Sequence, residues 1–386
     1  MLTTLSIANY RSIMSLTLPL GSLNLITGPN GSGKSNLYKA LRLLAKTASG
    51  GVVNSLAEEG GLHSTYWAGP EELTNAMKRG DVDIQGTQRK NVVRLKLGFA
   101  SESFGYTISL GLPIPHQSAF TFDPEIKHEC IFNGPAYRPA TALVERKGNI
   151  VKIRHDRQWE VVTQHIPNFD SLFDAHADPS SAAEVFHVRE MIRSWRFYDH
   201  FRTDAEAPAR KPQLGTRTPV LHHDGRDLAA ALQTIIEIGD RKALDTAIED
   251  AFPGCRLRVV TTEDSRFSLE FYQKGLLRPL TGAELSDGTL RFILWIAALL
   301  TPRPPALMVL NEPETSLHPD LLPALARLIV HASRNSQIWV ISHANRLINA
   351  LNKHEECHWI ELEKHLGQTE IKGQGILDTP SWHWPD

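Results

Sequence analysis

Apolar and polar positions follow two rhythms along the chain, one of period two and one of helical spacing. Near the N-terminus Leu5-Ser6-Ile7, Leu16-Thr17-Leu18 and Leu23-Asn24-Leu25-Ile26 alternate, which predicts three short strands. After Lys34 the spacing changes: Leu37, Leu41 and Leu44 recur at helical intervals until the break at Ser49-Gly50-Gly51. Alternation returns within Val92–Leu112, predicting antiparallel strands, and Ala142–Arg154 reads as a hairpin turning at Lys147-Gly148-Asn149. Helices are predicted over residues 180 to 200 and over Asp227–Gly239, with a Pro- and Arg-rich loop (Pro208–Pro219) between them. Strands follow at Arg256–Thr261 and Ser268–Tyr272. From residue 285 helix and strand alternate: helix Asp287–Leu300, strand Ala306–Leu310, helix Asp320–Ser333, strand Ile338–Ser342. The strand Ala306–Leu310 is wholly apolar, as expected of a parallel strand covered on both faces.

The first Gly-rich break carries chemistry. Gly28-Pro29-Asn30-Gly31-Ser32-Gly33-Lys34-Ser35 fits G-x-x-x-x-G-K-[ST], with an apolar strand before it and a periodic helix after it. Glycines let backbone N–H groups curl around a phosphate chain, the lysine neutralises its oxygens, and the hydroxyl holds Mg²⁺. A chance glycine turn is the bland alternative, and the flanking elements argue against it. ATP or GTP, with Mg²⁺, is the ligand this predicts.

Four more motifs lie in the last hundred residues. Leu285-Ser286-Asp287-Gly288-Thr289 opens an apolar helix; Asn311-Glu312-Pro313-Glu314 follows the buried strand; Ser316-Leu317-His318-Pro319 comes next; Ser342-His343 ends the following strand. In that order they resemble the signature, Walker B, D-loop and switch histidine of ABC-type ATPases. With the opening Asn9-Tyr10-Arg11-Ser12 the chain is similar to RecF-like bacterial ATPases of the AAA_21 group, within the SMC/ABC-type branch. The resemblance covers residues 1–45 and 280–350 best.

It implies an α/β P-loop NTPase fold of ABC/SMC-head type: a mixed sheet core, an antiparallel β subdomain and an α-helical insert. The corresponding segments are an N-terminal ATPase lobe (1–125), an insert (126–254) and a C-terminal ATPase lobe (255–386). Carried over, Asn30, Gly31, Ser32, Gly33, Lys34, Ser35 and Asn36 would bind ATP, with Arg11 reaching the nucleotide and Ser35 ligating Mg²⁺. Glu312 would polarise the attacking water and His343 would contact the γ-phosphate. Ser286 and Gly288 would complete the site of a second chain, which implies an ATP-dependent, head-to-tail homodimer. Taken singly, Ser286 reads as an N-cap, His343 as a structural histidine and Arg11 as a surface arginine.

One position departs from the pattern. Asn311 stands where the Walker B aspartate belongs, in the second shell of the metal; it keeps the shape and loses the charge. Slow hydrolysis with retained binding is the expectation.

Composition narrows the setting. The 386 residues are 41% hydrophobic and 22% charged, ordinary for a folded globular chain. Lys+Arg (41) against Asp+Glu (43) gives a net charge of -2, which excludes a uniformly basic nucleic-acid coat. Cys130, Cys255 and Cys357 form no paired framework, the start shows no signal peptide, and the longest apolar run, Phe292–Leu300, cannot span a bilayer. A cytoplasmic protein without membrane contact is expected. The middle third lacks the heptads of an SMC arm, and about forty residues after His343 are too few for a nuclease domain.

DNA enters as a candidate partner through Arg189, Arg193, Arg196, Arg202, Arg210, Lys211 and Arg217, interleaved with Trp195, Phe197, Tyr198 and Phe201. An amphipathic helix whose arginines pair with Glu190, Asp199, Asp204 and Glu206 is the competing reading. His354, Cys357 and His358 read as structural. Two functions remain in view: an ATPase of DNA repair, genome maintenance or phage defence, and a nucleotide-gated subunit controlling a separate effector nuclease or toxin. The ATPase of a membrane transporter is a weaker third.

Overall fold

A computed structural model describes residues 1–86, 89, 91–114, 119–156, 158–175, 182–375 and 378–385. The chain opens with β1 (Leu2–Tyr10), β2 (Ile13–Pro19) and β3 (Leu23–Thr27), then α1 (Lys34–Thr47), α2 (Val52–Glu58), α3 (Leu62–Thr65) and α4 (Asn75–Arg79). Strands β4 (Leu95–Ser101), β5 (Phe104–Gly111), β6 (Glu125–Asn133), β7 (Ala142–Lys147), β8 (Ile150–His155) and β9 (Gln158–Thr163) follow. Next come α5 (Leu172–Ala175), α6 (Ala183–Ser194), β10 (Arg196–Tyr198), β11 (Gln213–Leu214), α7 (Leu228–Ile238) and α8 (Arg241–Ala251). The chain continues through β12 (Arg256–Thr261), β13 (Arg266–Tyr272), β14 (Leu280–Thr281), α9 (Asp287–Leu299) and β15 (Leu307–Asn311). It closes with α10 (Leu322–Ser333), β16 (Gln337–Ile341), α11 (Asn345–Leu351), β17 (Cys357–His365) and β18 (Gln368–Ile371).

These elements form two units, each built from discontinuous pieces. The first comprises Met1–Gly21, Gly28–Ser194 and Ile360–Asp386. Its centre is an antiparallel sheet in the order β2-β1-β4-β5-β6-β7-β8-β9. Alternation in sequence becomes alternation in burial: along β7 Ala142, Val144 and Arg146 face inward. The inward Arg146 is fully buried because Glu129, also fully buried, lies opposite it in the β6–β7 register. In the same unit Leu362–His365 of β17 pair with Gln368–Ile371 of β18.

The second unit comprises Ser22–Thr27 and Trp195–Trp359. Its parallel strands run β10-β15-β16-β3. Every residue of β3 and β16 is buried, which their near-continuous apolar sequences foreshadow. A small antiparallel sheet (β11, β12, β13, β14) lies beside them in sequence. The core gathers Leu25, Met308, Leu310 and Val340 from the strands with Leu290, Phe292, Ile293 and Leu325 from α9 and α10.

The helix predicted over 180 to 200 is corrected: residues 180 and 181 lie outside the described residues, α6 stops at Ser194, and Arg196–Tyr198 form a strand parallel to Met308–Leu310. Phe197 and Tyr198, set beside a buried strand, gain more from pairing and burial than from continuing an exposed helix. No helix among the described residues is long and apolar enough to cross a membrane.

Candidate functional site

The glycine loop is shaped by backbone conformations that only glycine adopts freely. Gly28, Gly31 and Gly33 have φ of 146°, 80° and 110°. Space forbids a side chain as well: a Cβ on Gly28 would lie 2.3 Å from the Leu362 carbonyl oxygen, and one on Gly33 would lie 2.1 Å from Thr369 Oγ1. A Cβ on Gly31 would meet nothing within 4 Å. Helix α1 starts directly after Gly33, its Leu37 N–H reaching the Gly33 carbonyl at 2.9 Å, with no acidic residue in its first turn. No acidic side chain of that turn offsets its N-terminal dipole.

Lys34 folds back over the loop and donates to the carbonyls of Gly28 (2.6 Å) and Pro29 (3.1 Å). The Ser32 hydroxyl is buried with no hydrogen-bond partner among the described residues. A buried orphan hydroxyl inside a glycine cradle, with a lysine and a helix N-terminus, is what a polyphosphate requires, so these residues fit ATP. Asn30 and Ser35 are exposed. Asn36, instead of pointing free, donates to Ser12 Oγ at 2.7 Å. Arg11 is engaged elsewhere: its Nε and Nη2 both donate to Glu59 Oε2 (3.2 and 2.7 Å), which also accepts from Tyr10 OH.

The second unit carries the other motifs at the C-terminal ends of its parallel strands. The register aligns Asn311 with Ile341 and Ile341 with Ile26. Open α/β sheets bind ligands at this end. Directly after β15, Glu312 adopts φ of 48°, unusual for a residue with a side chain, while its N–H holds the Ile341 carbonyl at 2.8 Å. That bend sets its carboxylate 3.5 Å from His343 Nδ1. Sequence reasoning missed the group that fixes His343. Glu314 Oε1 accepts from Ser342 Oγ (2.7 Å) and from the N–H groups of His343 (3.1 Å) and Ala344 (3.3 Å). Asn311 is half-buried.

Ser286 is exposed and caps α9, accepting from the Thr289 N–H at 3.1 Å. A Cβ on Gly288 would lie 3.4 Å from the Ser316 carbonyl, so the signature and the stretch after Glu314 approach each other. Two arginines bind them. Arg291 joins α9 to the carbonyls of Thr315 (2.9 Å) and Phe201 (3.0 Å), and burial lowers its pKa. Arg210 donates to the carbonyls of Gly282, Leu285 and Thr203 and to Asp287 Oδ1. No local signal marks either arginine, because their partners lie up to 90 residues away in sequence.

Arg210 belongs to the stretch considered for DNA, and several other members of that stretch are engaged too. Trp195, Tyr198 and Phe201 are buried in cores, so they offer no stacking face. Arg193 pairs with Glu190, Arg202 with Asp204 and Lys211 with Glu206. Among the described residues His354, Cys357 and His358 form no three-ligand group. Burial instead pushes the Cys357 thiol up to about 11 and lowers the His358 pKa.

Known proteins place this geometry. No curated protein matches the chain. The SMC head bound to the C-winged helix domain of ScpA superposes with a TM-score of 0.50 at 12% identity, covering 97% of this chain and 98% of that one. The SMC head domain from Thermotoga maritima gives a TM-score of 0.47 at 13% identity, covering 97% and 99%. The likeness to the first of these shows the P-loop NTPase fold of ABC/SMC-head type. Residues 23–349 match the family described as "AAA domain, putative AbiEii toxin, Type IV TA system". The chain belongs to this AAA_21 family of P-loop ATPases.

Proposed function

We propose that the chain binds ATP with Mg²⁺, hydrolyses it slowly, and dimerises head to tail on ATP, as a cytoplasmic protein of genome maintenance or phage defence. The observation that carries the catalytic part is Glu312, bent to φ of 48° with its carboxylate 3.5 Å from His343. A strained acidic residue held against a histidine at the end of a buried parallel strand suits a group that orients water.

In this reading Lys34 and the Asn30–Gly33 backbone bind the phosphates. Mg²⁺, ligated by Ser35 with Asn311 in its outer shell, would neutralise charge developing on the β- and γ-phosphate oxygens. Glu312 accepts a hydrogen bond from the attacking water, whose oxygen bonds to the γ-phosphorus as the bond to the β–γ bridging oxygen breaks. The departing ADP keeps that electron pair, and the proton leaves through Glu312. His343 contacts the γ-phosphate. Ser286 and Gly288 of one copy meet the nucleotide of the other. The free thiols of Cys130, Cys255 and Cys357 support a reducing compartment.

Phosphate release should fall by at least about 100-fold in Glu312→Gln, the scale of losing a general base. Equal rates in both proteins would refute the assignment. With hydrolysis blocked, Glu312→Gln should sediment as a dimer with Mg²⁺-ATP, and adding Ser286→Arg should return it to monomer.

Asn311, and the pairing of Arg193, Arg202, Arg210 and Lys211 with acidic residues, favour a second reading, a nucleotide-gated subunit that controls a separate effector nuclease or toxin. The family description, naming a toxin system, supports it too. Salt-dependent DNA binding by the chain alone would count against it.

A further inference from the structure

The nucleotide loop is held from behind by a residue 337 positions away in sequence, Thr369. Thr369 is fully buried on β18, and its Oγ1 donates to the Ser32 carbonyl at 2.9 Å. The same oxygen lies 2.7 Å from Ser12 Oγ, and Ser12 Oγ accepts from Asn36 Nδ2 at 2.7 Å. A hydroxyl has one proton to give. Thr369 gives its proton to Ser32, so it must accept from Ser12, which accepts from Asn36. The four groups form one directed chain, Asn36 to Ser12 to Thr369 to the Ser32 carbonyl, each bond polarising the next. The Thr369 N–H also donates to the Ser12 carbonyl at 2.8 Å, which locks the turn after β1 to β18.

This chain bears on the phosphate-binding face through peptide geometry. The Ser32 carbonyl and the Gly33 N–H belong to one planar trans unit and point in opposite directions. Fixing the carbonyl against Thr369 fixes the Gly33 N–H on the other side. Gly33 has no side chain at the place where a Cβ would lie 2.1 Å from Thr369 Oγ1 and 2.7 Å from Cγ2. The third glycine of the loop thus serves a second purpose, letting Thr369 reach the backbone behind it.

We propose that Thr369, with Ser12, is a positioning residue for the nucleotide loop: its hydroxyl orients the Ser32–Gly33 peptide so that the Gly33 N–H is set for a polyphosphate oxygen. The inference rests on the ATP-binding reading above, and it concerns the first unit alone.

The test uses the full chain and three variants, Thr369→Val, Thr369→Ser and Ser12→Ala. Amide exchange over residues 31–37 is measured without nucleotide, and affinity for Mg²⁺-ADP is measured separately. Thr369→Val keeps shape and loses the hydroxyl; it should speed exchange there and weaken Mg²⁺-ADP by about five- to tenfold, the weight of one buried hydrogen bond. Thr369→Ser should restore both to within about twofold, which a purely volumetric role would not do. Ser12→Ala, which interrupts the chain without touching β18, should shift both in the same direction and keeps the test valid if Thr369→Val does not fold. Unchanged exchange and affinity in a folded Thr369→Val or in Ser12→Ala overturns the proposal, as does failure of Thr369→Ser to rescue a folded Thr369→Val. If the unaltered chain binds neither Mg²⁺-ADP nor Mg²⁺-ATP, the ATP reading fails, and exchange at 31–37 still decides whether the clamp exists.

Discussion

Two carboxylates buried in different units, Glu129 and Glu314, are held in opposite ways. Glu129 is satisfied on every side. Its Oε1 accepts from Tyr106 OH (2.7 Å) and Ser171 Oγ (2.6 Å), its Oε2 from Arg146 Nη1 (2.8 Å) and the Leu172 N–H (3.0 Å). Arg146 in turn donates to the carbonyls of Gly148, Pro167 and Asp170. Glu314 loads three donors from Ser342–Ala344 onto one oxygen, and its Oε2 is buried without a partner among the described residues. Among the described residues the basic side chain beside it is the His343 imidazole, with Nδ1 3.8 Å from Oε1. A fully paired carboxylate fixes structure, here the loop before α5. An uncompensated one can change its partners at little cost, which suits a switch loop.

Breaking the paired side should cost most. Arg146→Met leaves Glu129 buried without a cation and should lower stability by about 3–5 kcal/mol in denaturant titration. Replacing both residues by apolar ones, Glu129→Leu with Arg146→Met, should recover most of that loss. Glu314→Gln should destabilise far less. If Glu314→Gln proved as damaging as Arg146→Met, the contrast between the two sites would be false.

Function should show the reverse. Glu314→Gln keeps an oxygen for the three donors but removes the negative charge that draws them in, so the switch loop loosens and hydrolysis falls by about 10–100-fold, as for loss of an outer-shell partner. Mg²⁺-ATP affinity should stay within about twofold, since the change removes orientation and not uniform binding. Steady-state turnover and equilibrium titration read the two separately. A matching loss of affinity would make Glu314 a contributor to nucleotide binding instead. On the same side, Asn311→Asp restores the charge expected there and should raise turnover by about tenfold; no gain would count against the proposal that Asn311 slows hydrolysis.

What was legible in the sequence follows from how far each interaction reaches. Lys34, Glu312 and His343 stand out as candidates because they lie in contiguous motifs next to elements of clear periodicity. The same holds for the hairpin at Gly148 and for α9. Arg11 shows the limit: its type suggested the nucleotide, but Glu59, 48 residues on, holds it. Thr369, Glu314 and Arg210 act through partners that no local pattern connects, and a threonine on an edge hairpin carries no signal of its own. The strand at Arg196–Tyr198 was hidden for the same reason, since only its neighbour β15 decides its conformation.

The smallest expected effect separates the units at alkaline pH. Burial, and then the charge of Glu129, raises the Tyr106 pKa well above its usual value of 10.0. Burial also pushes Tyr66 up to about 12 and moves Tyr10 and Tyr198 upward. A raised folded pKa means that the folded chain keeps a proton which the unfolded chain releases above pH 10. The stabilisation is therefore complete below the unfolded value and is lost as pH rises towards the folded one. Three of these four tyrosines lie in the first unit and only Tyr198 in the second. Tyr106→Phe should thus flatten the fall of stability between pH 10 and 11 by up to about 1.4 kcal/mol, the limit for one proton per pH unit. Denaturant midpoints at the two pH values, with tyrosinate absorbance near 295 nm as the ionisation readout, measure that slope. A Tyr106→Phe slope equal to that of the unaltered chain would mean that the phenol ionises without opposing the fold, and the Glu129 network would then be looser than its hydrogen bonds imply.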